Sequence, residues 1–94
     1  MDGEPFHPTQ PQRLIRRILE AGTVDFSNHA FAEMAKDALT AVDCTNVLRG
    51  GVVEPPEEDS GTWRYRVRTA RTYVVVAFRS ETQLVVVTAW RLQR

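Results

Sequence analysis

The sequence predicts an α+β domain: three N-terminal helices packed on one face of a three- to four-stranded antiparallel sheet. Three observations carry this. Apolar residues up to Gly51 recur at helical spacing between recognisable caps. Beyond Val52 the period switches to two, with segments dense in Val and aromatics. The links between those later segments are too short for parallel crossovers. At 94 residues, with 43% hydrophobic and 26% charged residues, one ordinary globular domain is expected.

Residues 1–10, with Pro5 and Pro8 and no periodicity, read as a flexible arm ahead of a single domain over 11–94. From Gln12 to Ala21, Leu14, Ile15, Ile18 and Leu19 form one helical face, with Pro11 in the first turn and Gly22 past the end. Arg13, Arg16 and Arg17 fall on the solvent side. Val24-Asp25-Phe26 is a short extended piece, and Ser27 is an N-cap for a helix from about Asn28 to Ala38 that buries Ala30, Phe31 and Met34. Thr40 and Asp43 have capping-box spacing, Cys44, Val47 and Leu48 line the third helix, and Gly50-Gly51 stops it. Strands follow at Val52-Val53, Trp63–Arg68, Tyr73–Phe78 and Leu84–Trp90, with turns near Arg71-Thr72 and at Ser80–Gln83.

The net charge is zero, but its distribution is lopsided. Residues 1–47 carry four basic against seven acidic side chains, and residues 60–94 carry seven arginines against Glu81 alone. Between them lies Glu54-Pro55-Pro56-Glu57-Glu58-Asp59. Such asymmetry marks either a polyanion-binding half or two halves that attract each other. No stretch approaches the length of a membrane span, the first residues lack a signal-peptide pattern, and a cytoplasmic protein is expected. One cysteine and two histidines leave no basis for a disulfide, a Cys- or His-based metal site or a cofactor.

Strict alternation assigns the sheet faces. Trp63, Tyr65, Val67, Val74, Val76, Phe78, Val86 and Trp90 fall on the core side. Arg64, Arg66, Arg68, Arg79 and Arg91 fall on the other, interleaved with Tyr73, Val75, Ala77, Val85, Val87 and Ala89. A face half basic and half apolar is expected to be covered in part by something.

Phe26-Ser27-Asn28-His29-Ala30, then Met34, Asp43, Leu48, a Gly and Val53-Glu54, ending in Leu84-Val85-Val86-Val87-Thr88-Ala89-Trp90, resemble the bacterial family called domain of unknown function 4258. Cys44 stands where that family's third helix has Val. The resemblance covers roughly residues 24–91. The family is grouped with RelE-like, BrnT-like and MqsR-like toxins of toxin–antitoxin modules. That implies a RelE-like fold, cleavage of mRNA on or off the ribosome, and a cognate toxin or antitoxin partner. Two positions depart from the pattern. Glu33 precedes Met34 where the family has Arg, and Asp37-Ala38-Leu39 replaces an Arg-Gly-Ile type stretch. Both put an anion where a cation would stabilise phosphate beside His29.

Two sets of candidate residues follow. His29 and Glu33 share a helix face at i, i+4 and can pair as general base and orienting carboxylate, with Tyr73 available for stacking or proton transfer. They can equally be structural, His29 bonding near the helix start and Glu33 pairing with a neighbouring Arg. Arg64, Arg66, Arg68, Arg79 and Arg91 can offset phosphate charge in metal-independent RNA cleavage, stay a solvated strand face, or hold an acidic partner or the chain's own 54–59 loop. The two functions kept open are an RNA- or ribosome-directed toxin and a non-catalytic antitoxin, immunity or regulatory protein.

Overall fold

A computed structural model describes residues 1–7 and 9–92; Pro8 of the arm and Arg94 of the basic half lie outside them. Helix α1 spans Thr9–Ala21, strand β1 Thr23–Phe26, helix α2 Asn28–Lys36 and helix α3 Ala41–Gly50. Strands β2 (Val52–Val53), β3 (Glu57–Asp59), β4 (Thr62–Arg68), β5 (Thr72–Ser80) and β6 (Gln83–Arg91) follow. The α+β class stands, but the sheet has six strands, in the order β1-β6-β5-β4-β2 with β3 also on β4. The helices are not an uninterrupted N-terminal block, because β1 stands between α1 and α2 and joins the sheet parallel to β6. No described helix is long and apolar enough to cross a membrane.

The core lies between the helices and one sheet face. Ile15 and Ile18 of α1, Ala30 and Met34 of α2, and Cys44 and Leu48 of α3 meet Tyr65, Val67, Val74, Val76, Phe78, Leu84, Val86 and Ala89. Burial in this cluster pushes the Cys44 thiol up to about 11, so it packs as a small hydrophobe. Ahead of α1, Phe6 packs between Tyr65 and Phe78, and the buried Tyr65 hydroxyl donates to Glu4 Oε2 at 2.8 Å. α2 is shorter than expected: Asp37 caps it and Ala38 turns out with φ +54°. Phe31, expected in the core, is instead 54% exposed and stacks on Phe26.

The capping box is present in full. Thr40 Oγ1 accepts from the Asp43 amide at 3.1 Å, and Asp43 Oδ2 accepts from the Thr40 amide at 2.9 Å. The backbone bond from Thr40 is the main cause that holds the Asp43 carboxyl below its ordinary value. A depressed carboxyl stabilises the fold at pH above the ordinary Asp value and stops doing so as pH falls through the lowered one. Asp43→Ala, which removes the carboxylate, should therefore destabilise the fold more at neutral pH than in strong acid. Thr40→Ala keeps the Thr40 amide and should cost about 1 kcal/mol by urea unfolding, with most of that cost retained in acid. A Thr40→Ala cost near zero would contradict the capping role.

Strict alternation fails at two bulges. In the β5–β6 ladder Val75 pairs with Thr88 but Val76 with Val86, so Val87 is an extra residue. Ser27 holds it, donating its hydroxyl to the Val87 carbonyl at 3.0 Å while accepting from the Ala30 amide as N-cap. Beyond this bulge the faces of β6 exchange. Ala89 enters the core, and Trp90 leaves it to stack on Tyr73 on the outer face, centroids 5.1 Å apart. Arg79 is extra in the same way, between the Phe78–Leu84 and Ser80–Gln83 pairs.

Candidate functional site

The outer face of the sheet carries Arg64, Arg66 and Arg68 in one row along β4, as alternation requires. The acidic segment covers them. β2 and β3 are successive pieces of one edge strand on β4, interrupted at Pro55-Pro56, where no amide is available for a ladder. Glu54 still bonds through its amide to the Arg66 carbonyl, yet Glu57 pairs with Arg64, so the prolines insert one residue. That insertion decides the chemistry. It turns Glu57 and Asp59, and not Glu58 alone, toward the arginine row.

The returning hairpin is made by Ser60 and Gly61, with φ of +53° and +81° between the paired residues Asp59 and Thr62. This is the two-residue loop that matches strand twist and favours glycine. Three carboxylates then take three guanidinia from diagonal positions. Asp59 meets Arg64 at 3.0 Å, Glu57 meets Arg66 at 2.8 Å, and Glu54 meets Arg68 at 2.9 Å. Glu54 Oε2 also accepts from the Tyr73 hydroxyl at 3.1 Å.

Between the segment and the sheet lies a groove of about 310 Å³ lined by Glu57, Arg64, Arg66, Val75, Thr88 and Trp90 among others. Arg64 Nε is buried there without a partner. The groove is amphipathic, with apolar and aromatic surface from Val75 and Trp90 beside ion pairs that are already closed.

The other candidate residues lie elsewhere. Arg91, expected in the row, points to the helix side because of the Val87 bulge. Its Nε donates to the Asp37 carbonyl at 2.8 Å and its amide to Asp37 Oδ2 at 2.8 Å, with Asp43 Oδ2 at 3.8 Å. It closes the C-terminal end of α2, where a cation suits the helix dipole. Arg79 stands at the far end of the β5–β6 hairpin in a depression shared with Asp2 and Glu81. His29 is exposed on α2, and Glu33 pairs with Lys36 at 2.6 Å. The Lys36 hydrogen bond is the main cause holding the Glu33 carboxyl below its ordinary range. Tyr73 belongs to the opposite face of the sheet, so His29, Glu33 and Tyr73 are not brought together.

Sequence reasoning assigned Trp90 to the core and missed its place in the groove; only the bulge moves it. For the acidic hairpin there was a signal, Ser60-Gly61 just ahead of an alternating strand.

The sequence profile of the family described as Domain of unknown function (DUF4258) matches residues 26–91. The chain belongs to the DUF4258 family. No curated protein and no solved structure matches it. In this DUF4258 chain the matched span runs from the end of β1 to the end of β6, and so contains the whole arginine–carboxylate ladder and the groove. Helix α1 lies outside it.

Proposed function

We propose that the chain is a cytoplasmic toxin–antitoxin-type protein on a RelE-like scaffold that binds a partner protein through its outer sheet face and does not cleave RNA. One observation carries this reading. Every arginine of the β4 row is closed by a carboxylate of residues 54–59, and Tyr73 is closed by Glu54. What the face still offers is the Tyr73–Trp90 stack and the amphipathic groove beside it. Aromatic anchors rimmed by satisfied polar groups suit protein docking. Phosphoryl chemistry needs open cations gathered with a proton-transfer group.

The test is co-purification with the product of an adjacent reading frame, toxin or antitoxin. Trp90→Ala and Tyr73→Ala are expected each to weaken that complex about tenfold or more, since aromatic anchors commonly carry this much. Expression of the chain alone should leave growth and cellular mRNA ends unchanged. Growth arrest that disappears when Arg64, Arg66 and Arg68 are replaced together would reverse the assignment.

That outcome belongs to a second reading, an RNA- or ribosome-directed toxin and endoribonuclease using the same row. It is supported by the exposure of the ion pairs. Pairs of this kind contribute about 0–1 kcal/mol each, so a polyanion can displace the carboxylates.

A further inference from the structure

The arginines divide into two populations. Arg64, Arg66, Arg68 and Arg91 each lie within ion-pair distance of a carboxylate. Arg13, Arg16 and Arg17 of α1 and Arg49 of α3 are exposed, and among the described residues none of them has such a partner. Arg13, Arg16 and Arg17 follow at i, i+3 and i+4, so they stand on one ridge with Cβ atoms about 5–6 Å apart. Arg49, steadied by a 3.1 Å bond to Asn46, faces Arg16 across a small groove that Leu19 and Glu20 also line.

Like charges at these spacings disfavour the helix, and the adjacent carboxylates do not relieve them. Glu20 follows Arg16 and Arg17 in the less favourable order for a helix pair. Asp2 and Glu81 share a depression with Arg13 and Arg17 without reaching ion-pair distance. The inner side of α1 is spent on the core, where Leu14, Ile15 and Ile18 are buried.

We infer that the α1 ridge with Arg49 is a binding surface for the phosphodiester backbone of a nucleic acid. The chemistry of the face selects that partner over an acidic protein. Protein interfaces need apolar or aromatic anchors; between Arg16 and Arg49 the ridge offers only the half-buried Leu19, and Met1 and Phe6 lie to the other side, in the depression beside Arg13 and Arg17. Phosphate binding needs only cations and hydrogen-bond donors, and guanidinium forks match phosphate oxygens in pairs. The ridge lies on the helical side of the molecule, away from the outer sheet face, so both surfaces can be occupied together.

The experiment is fluorescence anisotropy with three probes: a single-stranded RNA, a DNA duplex of mixed sequence, and polyglutamate. Their relative affinities show whether the phosphodiester comes from RNA or DNA. The expected result is nucleic-acid binding that weakens with salt. The variant carrying Arg13→Gln, Arg16→Gln and Arg17→Gln should lose about tenfold in affinity or more. Its slope of log affinity against log salt should fall by ~2 for RNA or ~2.7 for duplex DNA, from about 0.7 or 0.9 per phosphate contact. Glu20→Gln should tighten binding, and Arg71→Gln, an exposed cation just before β5 and outside the ridge, should leave it unchanged. The reversed sign at Glu20 keeps the test decisive if the triple variant folds poorly.

No binding of either nucleic acid at low salt would overturn the inference. So would polyglutamate binding as tightly as nucleic acid, or unchanged affinity in a folded triple variant. Such failures leave the sheet-face proposal intact, because Tyr73→Ala and Trp90→Ala are read against a protein.

Discussion

Replacing Glu54, Glu57 and Asp59 with Gln, Gln and Asn should raise affinity for single-stranded RNA at low salt by about ten- to a hundredfold. The carboxylates hold the three guanidinia of β4 at 3.0 Å or less, so the wild-type row offers no net charge to a phosphate. Without them, Arg64, Arg66 and Arg68 stand open on one strand face, and each phosphate they neutralise should add ~0.7 to the salt slope. Stability should change little, because exposed pairs contribute about 0–1 kcal/mol each and the backbone pairing of β3 with β4 remains. Anisotropy at two salt concentrations and a urea melt on the same samples read both quantities. Unchanged affinity in a folded variant would show that the hairpin does not mask the row. A gain together with acquired toxicity would mean the carboxylates restrain an RNA-directed surface.

Gly50→Ala and Gly51→Ala, one residue apart, should move stability in opposite directions. Gly50 ends α3 in open space, so a methyl group there removes unfolded-state freedom without a clash and should add about 0.5–1 kcal/mol. Gly51 sits in the corner where α3 turns into β2. A Cβ there would lie 2.6 Å from the Val47 carbonyl oxygen and 2.9 Å from both the Arg68 carbonyl oxygen and Val67 Cγ1. Two of these neighbours are backbone and cannot rotate away. The first is also the acceptor of the 2.7 Å bond from the Gly51 amide that closes the helix. Overpacking of this kind costs about 1–3 kcal/mol. Each kilocalorie shifts the melting temperature by about 4–8 °C in a domain of this size, so the two variants should differ visibly in a thermal melt. Equal effects at the two positions would remove the close-approach explanation.

The glycine pair shows where sequence reading stops. Gly50-Gly51 is legible as a helix end, but which glycine is required depends on how near Arg68 of another strand comes. The same boundary runs through the arginine face. The period of two in Trp63–Arg68 is a local property, and it placed Arg64, Arg66 and Arg68 on one side. For β6 the period was equally clear, yet Val87 is extra, and so Trp90 and Arg91 each moved to the opposite face. The expected pairing of Glu33 with an arginine became a pairing with Lys36, the basic residue one turn further along the same helix.

What the sequence determined by itself is therefore local: the three helices, the Thr40–Asp43 capping box, the Ser27 cap, the three long strands and the β4 arginine row. Caps, helical spacing and alternation act over a few residues, and a single chain states them directly. The tertiary structure decided that Val24-Asp25-Phe26 becomes a parallel edge strand, that Val87 inverts the end of β6, and that the prolines turn Glu57 and Asp59 onto the arginines. Each depends on which backbone groups meet across the sheet, and a one-residue insertion there reverses every side chain beyond it. So the basic row was readable from the sequence, while its neutralisation by the 54–59 loop stood there as one of several open alternatives that the register across the sheet decided.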